Sequence, residues 1–505
     1  MKVTFVTRGT ENIGIECLSA ALKAKGHEVE LVFDRALFND DTYINIPGLK
    51  FFSKPLSSLA KEIVDTKPAI VCFSVMTNNY QWNLSVAKEL KKISDILIVF
   101  GGIHATLAPE EVISQPEVNI VCIGEGDNAI VELADSLEQK NSYLNIKNLW
   151  FKKNGEIIKN EVALPIANLD ALPFPDKDIF RSYLPLNYYY LAVTSRGCPN
   201  CCSYCSEISL KIVYKGKGQY YRERSVKSVI NEFLLMKNKY NFKAIDIRSS
   251  VLSHNKEWIR EFVTEYKDKI KLPFRIMIHP NTIDKEIASG LKEAGCWQAQ
   301  VGVQSFNEAL RNKILHRFDT NKEIIAALDS LDAAGLRFSV DLMTGLPEEK
   351  KQDLLEAAQI LIKYKHLYKV ALFYLQYLPK APILQYATQS KEIEDKILAD
   401  INSGKGKNLL SASLKSEIDR LRNWQLLFRL LPILSPNTLK KVLKYKIHER
   451  LYLFPKSSII ILTDILSAIW VREYFLLSVI KGYFWEIGNM LKKSFKINKI
   501  KHSVL

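Results

Sequence analysis

The chain of 505 residues holds no uninterrupted apolar run approaching the ~18 residues of a membrane-crossing helix. Its longest candidate, SSIIILTDILSAIWVREYFLLSVI, is broken by Asp464, Arg472 and Glu473. It therefore reads as a buried or amphipathic helix, with peripheral membrane contact as the lesser alternative. The opening MKVTFVTRGT lacks the apolar core and cleavage site of a secretion signal. Cysteine is scarce, at eight residues, and without export these are expected to be reduced thiols or metal ligands in a cytoplasmic protein. No repeat of roughly 20–50 residues is visible, which excludes solenoids and propellers.

What is present is an ordinary globular composition, 47% hydrophobic and 25% charged, spread over a length that suits two or three domains. The formal net charge of +15 permits anionic partners without requiring one. It is not interleaved with aromatics on a recognisable module, so no nucleic-acid partner is expected. Lys492, Lys493, Lys496, Lys499 and Lys501 read as a solvated basic tail, the alternative being a loose contact with lipid or an acidic partner.

Residues 1–140 alternate short apolar strands (VTFVT, HEVELVF, AIVCFSV, ILIVFGG, VNIVCIG) with helical patterns. This predicts a doubly wound, Rossmann-like parallel sheet covered on both faces. Residues 141–185 read as an irregular connector. From 186 to 390, six further strand–helix repeats predict a partial (β/α)6 barrel of TIM type, with reactive groups at the carboxyl ends of its strands. Residues 391–505 turn Leu-, Ile- and Lys-rich and predict a helical C-terminal region, with helices near 411–431, 437–449 and 457–480.

The strongest local signal is SRGCPNCCSYCSE, in which Cys198, Cys202 and Cys205 follow the strand YYLAVTS at the spacing C-x3-C-x2-C. Such a loop can converge three thiolates on one centre. A [4Fe–4S] cluster ordinarily takes four, so three leave one iron open to a ligand. A structural zinc site would need four ligands in two spaced pairs, and no second Cys/His pair is evident. Cys201 reads as a bystander. Cys17, Cys72, Cys122 and Cys296 sit in apolar contexts and read as core.

This loop, with Tyr204 before the last cysteine, resembles the signature of radical S-adenosylmethionine (SAM) enzymes. The likeness continues through LPFRIMIHPNTIDKEIASGLKEAGCWQAQVGVQSFNEALRN, DLMTGLPEE and YLPKAPILQYA. In that family the open iron chelates the amino and carboxylate groups of SAM, and electron transfer yields a 5′-deoxyadenosyl radical. The resemblance implies Cys198, Cys202 and Cys205 as metal ligands and Tyr204, Ser249, Gln304 and Ser305 as SAM contacts. One departure stands out. Ser249 and Ser250 occupy the place of a paired-aspartate motif whose carboxylate would meet the SAM ammonium; Asp246 is expected to face the other way. Glu348 likewise replaces the usual glycine of the GLPGE-type turn, while Glu349 keeps its acid.

In the first domain FSVMT, GGIHATLAPEE and IGEGD resemble the cobalamin-binding domain of cobalamin-dependent radical SAM enzymes. The likeness implies Ser74, Thr77, Gly101, Gly102, Glu125 and Gly126 as corrin contacts. The D-x-H-x-x-G motif that supplies an axial histidine is absent, its turn reading TRGTENIG, and His104 reads as an ordinary polar contact. Together these imply a [4Fe–4S] cluster, SAM and cobalamin serving a methyl transfer to an unactivated carbon. The substrate is expected to be a small molecule or lipid-like compound, and the electron donor a flavodoxin or ferredoxin. Two alternatives stay open: a radical cyclase or rearrangement enzyme without methyl transfer, and a divergent, non-catalytic iron–sulfur protein.

Overall fold

A computed structural model of the chain describes residues 1–37, 39, 53–389, 395–405 and 415–453, with 481, 484 and 488. The segment 457–480 and the basic run 492–501 lie outside the described residues. The chain forms two compact units: Met1–Ala163, Leu172–Tyr189 and Glu473–Leu505 in the first, and Leu164–Ala171 with Tyr190–Arg472 in the second.

In the first unit, β1 (Lys2–Arg8), β2 (Glu28–Asp34), β3 (Ile70–Ser74), β4 (Leu97–Gly101) and β5 (Ile120–Cys122) pair in the order β2-β1-β3-β4-β5, all parallel. This doubly wound order reverses direction between β1 and β3, where such sheets open a crevice for a ligand beyond the strand ends. Helices α1 (Ile13–Ala24), α2 (Leu56–Asp65), α3 (Tyr80–Lys91), α4 (Ile103–Leu107), α5 (Pro109–Ser114) and α6 (Asp127–Glu138) make the connections. The Asn12 side chain accepts from the Ile15 amide at 3.2 Å and starts α1. Gly26, at φ +86°, ends it. Val3, Phe5, Phe33, Ile70, Val99 and Leu133 fill a core on one face of the sheet.

The stretch expected to be an irregular connector contributes sheet. β6 (Leu149–Lys153) and β7 (Glu156–Lys159) extend the edge beyond β5 as antiparallel strands. Asn154 (φ +51°) and Gly155 (φ +84°) turn between them. An Asn-Gly pair at φ > 0 suits the two-residue hairpin turn, because its twist matches that of the strands.

In the second unit, β8 (Tyr190–Ala192) runs into a two-stranded antiparallel ribbon of β9 (Ser195–Arg196) and β10 (Arg222–Glu223). The main sheet continues with β11 (Ile245–Ile247), β12 (Phe274–Ile278), β13 (Cys296–Gln304), β14 (Phe338–Thr344) and β15 (Leu367–Tyr374). These six strands are parallel neighbours in chain order, which is the expected (β/α)6 arc. Between them lie α7 (Ser206–Val213), α8 (Val226–Tyr240), α9 (Lys256–Lys269), α10 (Lys285–Glu293), the short α11 (Glu308–Leu310), α12 (Asn321–Ala333) and α13 (Lys351–Leu361). Asn255 caps α9, and Thr320 with Glu323 forms a capping box on α12. Among the described residues, four α-helices follow the barrel: α14 (Leu384–Gln389), α15 (Asp395–Asn402), α16 (Lys415–Leu430) and α17 (Pro436–Lys444). The helix expected through 449 thus stops at Lys444 and resumes as a 3-10 turn over Ile447–Leu453.

Candidate active site

The cysteine loop follows β9 and closes at the start of α7, on the carboxyl side of the barrel. Gly197 makes the entry possible. Its φ is +78°, and a Cβ there would lie 2.5 Å from the Tyr220 carbonyl oxygen, so only glycine fits. Beyond it the loop is tied to distant chain: the Ser203 amide donates to the Leu315 carbonyl, and the Ile383 amide to the Ser203 carbonyl, both at 3.0 Å. Burial pushes the Cys198 thiol up to about 12 and the Cys205 thiol up to about 11. It also raises Cys202, against which the Arg317 guanidinium works. Arg317 is itself buried, donating to the Gly302 carbonyl at 2.7 Å and pairing with Asp319 at 3.2 Å. Cys201 is exposed, its sulfur 3.3 Å from the Lys211 ammonium.

Among the described residues, the group of three ligand-type side chains with donor atoms within 4.8 Å of one another is His27, Asp135 and Glu138. The cysteine loop presents three half-buried thiols, one fewer than the four protein ligands of a structural zinc site, which suits a centre that keeps one position open.

A cavity of about 490 Å³ opens beside Cys205 and Tyr204. Gln304, from the end of β13, lines it with Asp341 of β14, Tyr374 of β15 and Gln425 of α16. Gln304 holds φ +71° where the β13–β14 register slips between Gly302 and Gln304. A bulge with a left-handed non-glycine residue is an energetic cost of the kind met where a side chain must be aimed. Asp341 accepts from the Gln300 amide at 2.6 Å, and its carboxyl is raised above the usual range by burial. Ser305 is buried outside the cavity wall, its hydroxyl accepting from the Asn307 amide at 3.2 Å.

Ser249 is buried with its hydroxyl committed to Thr194, 2.7 Å from that residue's amide and 2.8 Å from its hydroxyl. Ser250 is exposed. Asp246 is buried and paired with Arg248 at 2.9 Å, so it offers no free carboxylate in their place. Glu348 adopts φ +65°, the left-handed conformation that the glycine it replaces would take without strain. Glu349 closes the same turn, accepting from Thr344 and from the Gly345 amide at 2.8 Å each.

In the first unit the predicted residues gather at the carboxyl ends of three adjacent strands: Ser74 on β3 with Thr77 after it, Gly101 ending β4 with Gly102 after it, Glu125 and Gly126 after β5. Asn12 donates to Ser74 at 3.1 Å, which draws the β1 turn into the same rim. Gly102 is explained by the backbone: at φ +100° a Cβ would lie 2.9 Å from the Val75 carbonyl oxygen. His104 is fully buried, with one ring nitrogen 3.2 Å from the Thr77 hydroxyl and the other without a hydrogen-bond partner. Its ring lies against Tyr80, centroids 4.4 Å apart. Burial lowers it to about 4, so the imidazole is neutral. Glu11, in the TRGTENIG turn, and Glu16 of α1 both grip the buried Lys177 ammonium, at 2.7 and 2.6 Å.

Two family models match the chain, the B12 binding domain over residues 4–134 and the radical SAM superfamily over residues 192–361. The chain belongs to the radical SAM enzymes that carry a cobalamin-binding domain. An uncharacterized methyltransferase of Pyrococcus horikoshii is 28% identical over 70% of this chain and 76% of its own length. The anaerobic magnesium-protoporphyrin IX monomethyl ester cyclase of Cereibacter sphaeroides is 26% identical over 59% of this chain, which spans half of that protein. Among solved structures, the cobalamin-dependent radical enzyme OxsB with aqua-cobalamin and SAM bound superposes with TM-score 0.65 at 17% identity, over 99% of this chain and 81% of its own.

The cofactors of this radical SAM enzyme are a [4Fe–4S] cluster, SAM and cobalamin. The residues present fit them: three half-buried thiols on one loop, a cavity beside Cys205 lined by Asp341, and a rim of hydroxyls and glycines at the carboxyl ends of β3, β4 and β5. No local signal in the sequence marks Arg317 or Lys177, and Asp341 opens the DLMTGLPEE segment without being singled out by it. Arg317 lies within the matched family segment but outside its cysteine and glycine signatures. Lys177 sits in a turn-rich stretch, and its partners are more than a hundred residues away.

Proposed function

We propose that this radical SAM enzyme transfers a methyl group to an unactivated carbon of a small-molecule or lipid-like substrate. The observation that carries the reading is the three-thiol loop opening on the same cavity as Gln304 and Asp341, in a chain that also holds a B12 binding domain. The methyltransferase of P. horikoshii, a relative matched over 76% of its length, supports it. When bound, the cluster supplies the electron that splits SAM to a 5′-deoxyadenosyl radical, and cobalamin supplies the methyl carrier.

In this reading Cys198, Cys202 and Cys205 hold the cluster, and Arg317 favours the thiolate of Cys202. Tyr204 and Gln304 border the SAM pocket. Ser249 and Ser305 brace its wall from behind, since their hydroxyls are spent on Thr194 and Asn307. Asp341 holds its proton more readily than an ordinary carboxyl and lines the cavity. Ser74, Thr77, Gly101, Gly102, Glu125 and Gly126 edge the corrin. Glu11, in the turn that stands where the histidine motif would be, is held by Lys177. The electron donor is a flavodoxin or ferredoxin, and the compartment is the cytoplasm.

A second reading, radical cyclisation without methyl transfer, is favoured by the likeness to the protoporphyrin ester cyclases. The test is reduction of cluster-reconstituted protein by dithionite with SAM. Formation of 5′-deoxyadenosine is expected; an intact cluster that forms none would sink both readings. S-adenosylhomocysteine appearing together with a methylated product selects the first. Replacing Cys198, Cys202 or Cys205 by serine should strip the iron, whereas Cys201→Ser should leave it in place.

A further inference from the structure

The helix α17, PNTLKKVLK, has no acidic residue. Leu439 is buried beneath it, with Val442 and Leu443 half-buried, while Asn437, Lys440, Lys441 and Lys444 are exposed. Their spacing of three, four and seven puts these four on one face, opposite the packed stripe. Exposed Lys446 and Arg450 follow. The one acid between 433 and 450 is Glu449, and it is occupied by Lys351 at 2.5 Å.

Cations alone would be a solvated surface. Here large apolar side chains stand in water beside them. Ile433 is 72% exposed before the helix, and Tyr445 and Ile447 are 66% and 48% exposed directly after it. The Lys444 ammonium lies 5.6 Å from the centre of the Tyr445 ring. Flanking apolar residues add nothing to a contact with nucleic-acid phosphates, which cations alone satisfy. A bilayer interface takes both, the aliphatic and aromatic groups entering the headgroup boundary while the ammonium groups meet anionic lipid.

We propose that the face built by α17 with Ile433, Tyr445 and Ile447 docks this enzyme on an anionic lipid surface. The docking does not depend on which reaction the enzyme performs, and its test reads no catalysis, so the two can fail separately.

The test is co-sedimentation of the full chain with sucrose-loaded vesicles of equal parts phosphatidylglycerol and phosphatidylcholine, against phosphatidylcholine alone. Binding is expected to the first and not the second, and to fall with salt. A cation at such a surface strengthens binding about fivefold. The combined change Lys440→Gln, Lys441→Gln and Lys444→Gln should therefore weaken partitioning on the order of 100-fold. Ile433→Ser with Ile447→Ser should also weaken it, with the charge intact. All five side chains are exposed, so an unchanged melting temperature should accompany both variants. Wild-type protein left in the supernatant, equal binding to the neutral vesicles, or a triple lysine variant that pellets like wild type overturns the proposal. Retention on heparin without vesicle binding does the same and assigns the face to a polyanion.

Discussion

Replacing Lys177 by methionine should unfold the first unit at a temperature on the order of 10 °C lower. The Lys177 side chain is 1% exposed and lies between Glu11 at 4% and Glu16 at 0%. One oxygen of Glu16 already lacks a hydrogen-bond partner. Methionine keeps the length and volume but leaves two carboxylates facing each other out of water. Removing one partner of a buried ion pair costs about 3–5 kcal/mol, and in a unit of this size each kcal/mol moves the midpoint about 2–4 °C. The pH dependence sharpens the expectation. Glu16 is raised well above the ordinary value, first by burial, with Lys177 opposing. A raised carboxyl binds protons in the folded state that the unfolded chain releases above its own value of about 4.3, so its contribution falls as pH rises through that window. Losing the lysine removes the charge that opposes burial and raises Glu16 further. The deficit should be largest near about pH 8 and shrink toward about pH 5. Calorimetry of the variant at both values measures it. Adding Glu11→Gln and Glu16→Gln should restore most of the loss. A Lys177→Met protein melting within a degree or two of wild type at the higher pH would refute the buried triad.

Gly197→Ala should cost about 1–2 kcal/mol for the left-handed backbone alone, beyond the collision with Tyr220. Iron per chain after reconstitution should fall sharply, and full iron content would show that the loop tolerates a side chain. Glu348→Gly should stabilise by roughly 0.5–1 kcal/mol by removing a strained φ, since the exposed ion pair with Lys313 that it forfeits contributes little. A lowered urea midpoint would contradict this. His104, held down to about 4 by burial, is neutral when folded and takes a proton when unfolded below about pH 6.5. Stability should drop as pH falls from there to about 4, by up to about 3 kcal/mol. His104→Phe should flatten that slope, and equal slopes in the two proteins would rule it out.

The first sheet was legible because its central strands are buried on both faces and so read as continuous apolar runs, such as VTFVT and AIVCFSV. The cysteine loop was legible because ligand spacing is local. The β6–β7 hairpin was missed although Asn154-Gly155 announces it. Its strands, LWFKK and EIIK, are short, and neither alternates apolar with polar residues as a half-buried strand ordinarily does. Ser249 illustrates a different limit: the sequence shows that an acid is missing but not that the serine hydroxyl is committed to Thr194. The triad of Lys177 was out of reach. Nothing local in FPDKDIF says that one lysine will be buried beneath α1.

The loop that carries Cys198, Cys202 and Cys205 is fastened by Leu315 and Ile383. This has a bearing on biosynthesis. At about 5–20 residues per second, the ribosome reaches Ile383 on the order of ten seconds or more after the cysteines have been made. Until then the thiols lie on a nascent chain without the partners that shape the loop. Cluster insertion should therefore follow translation through the barrel, and nascent chains truncated before residue 383 should accept iron poorly from an assembly scaffold.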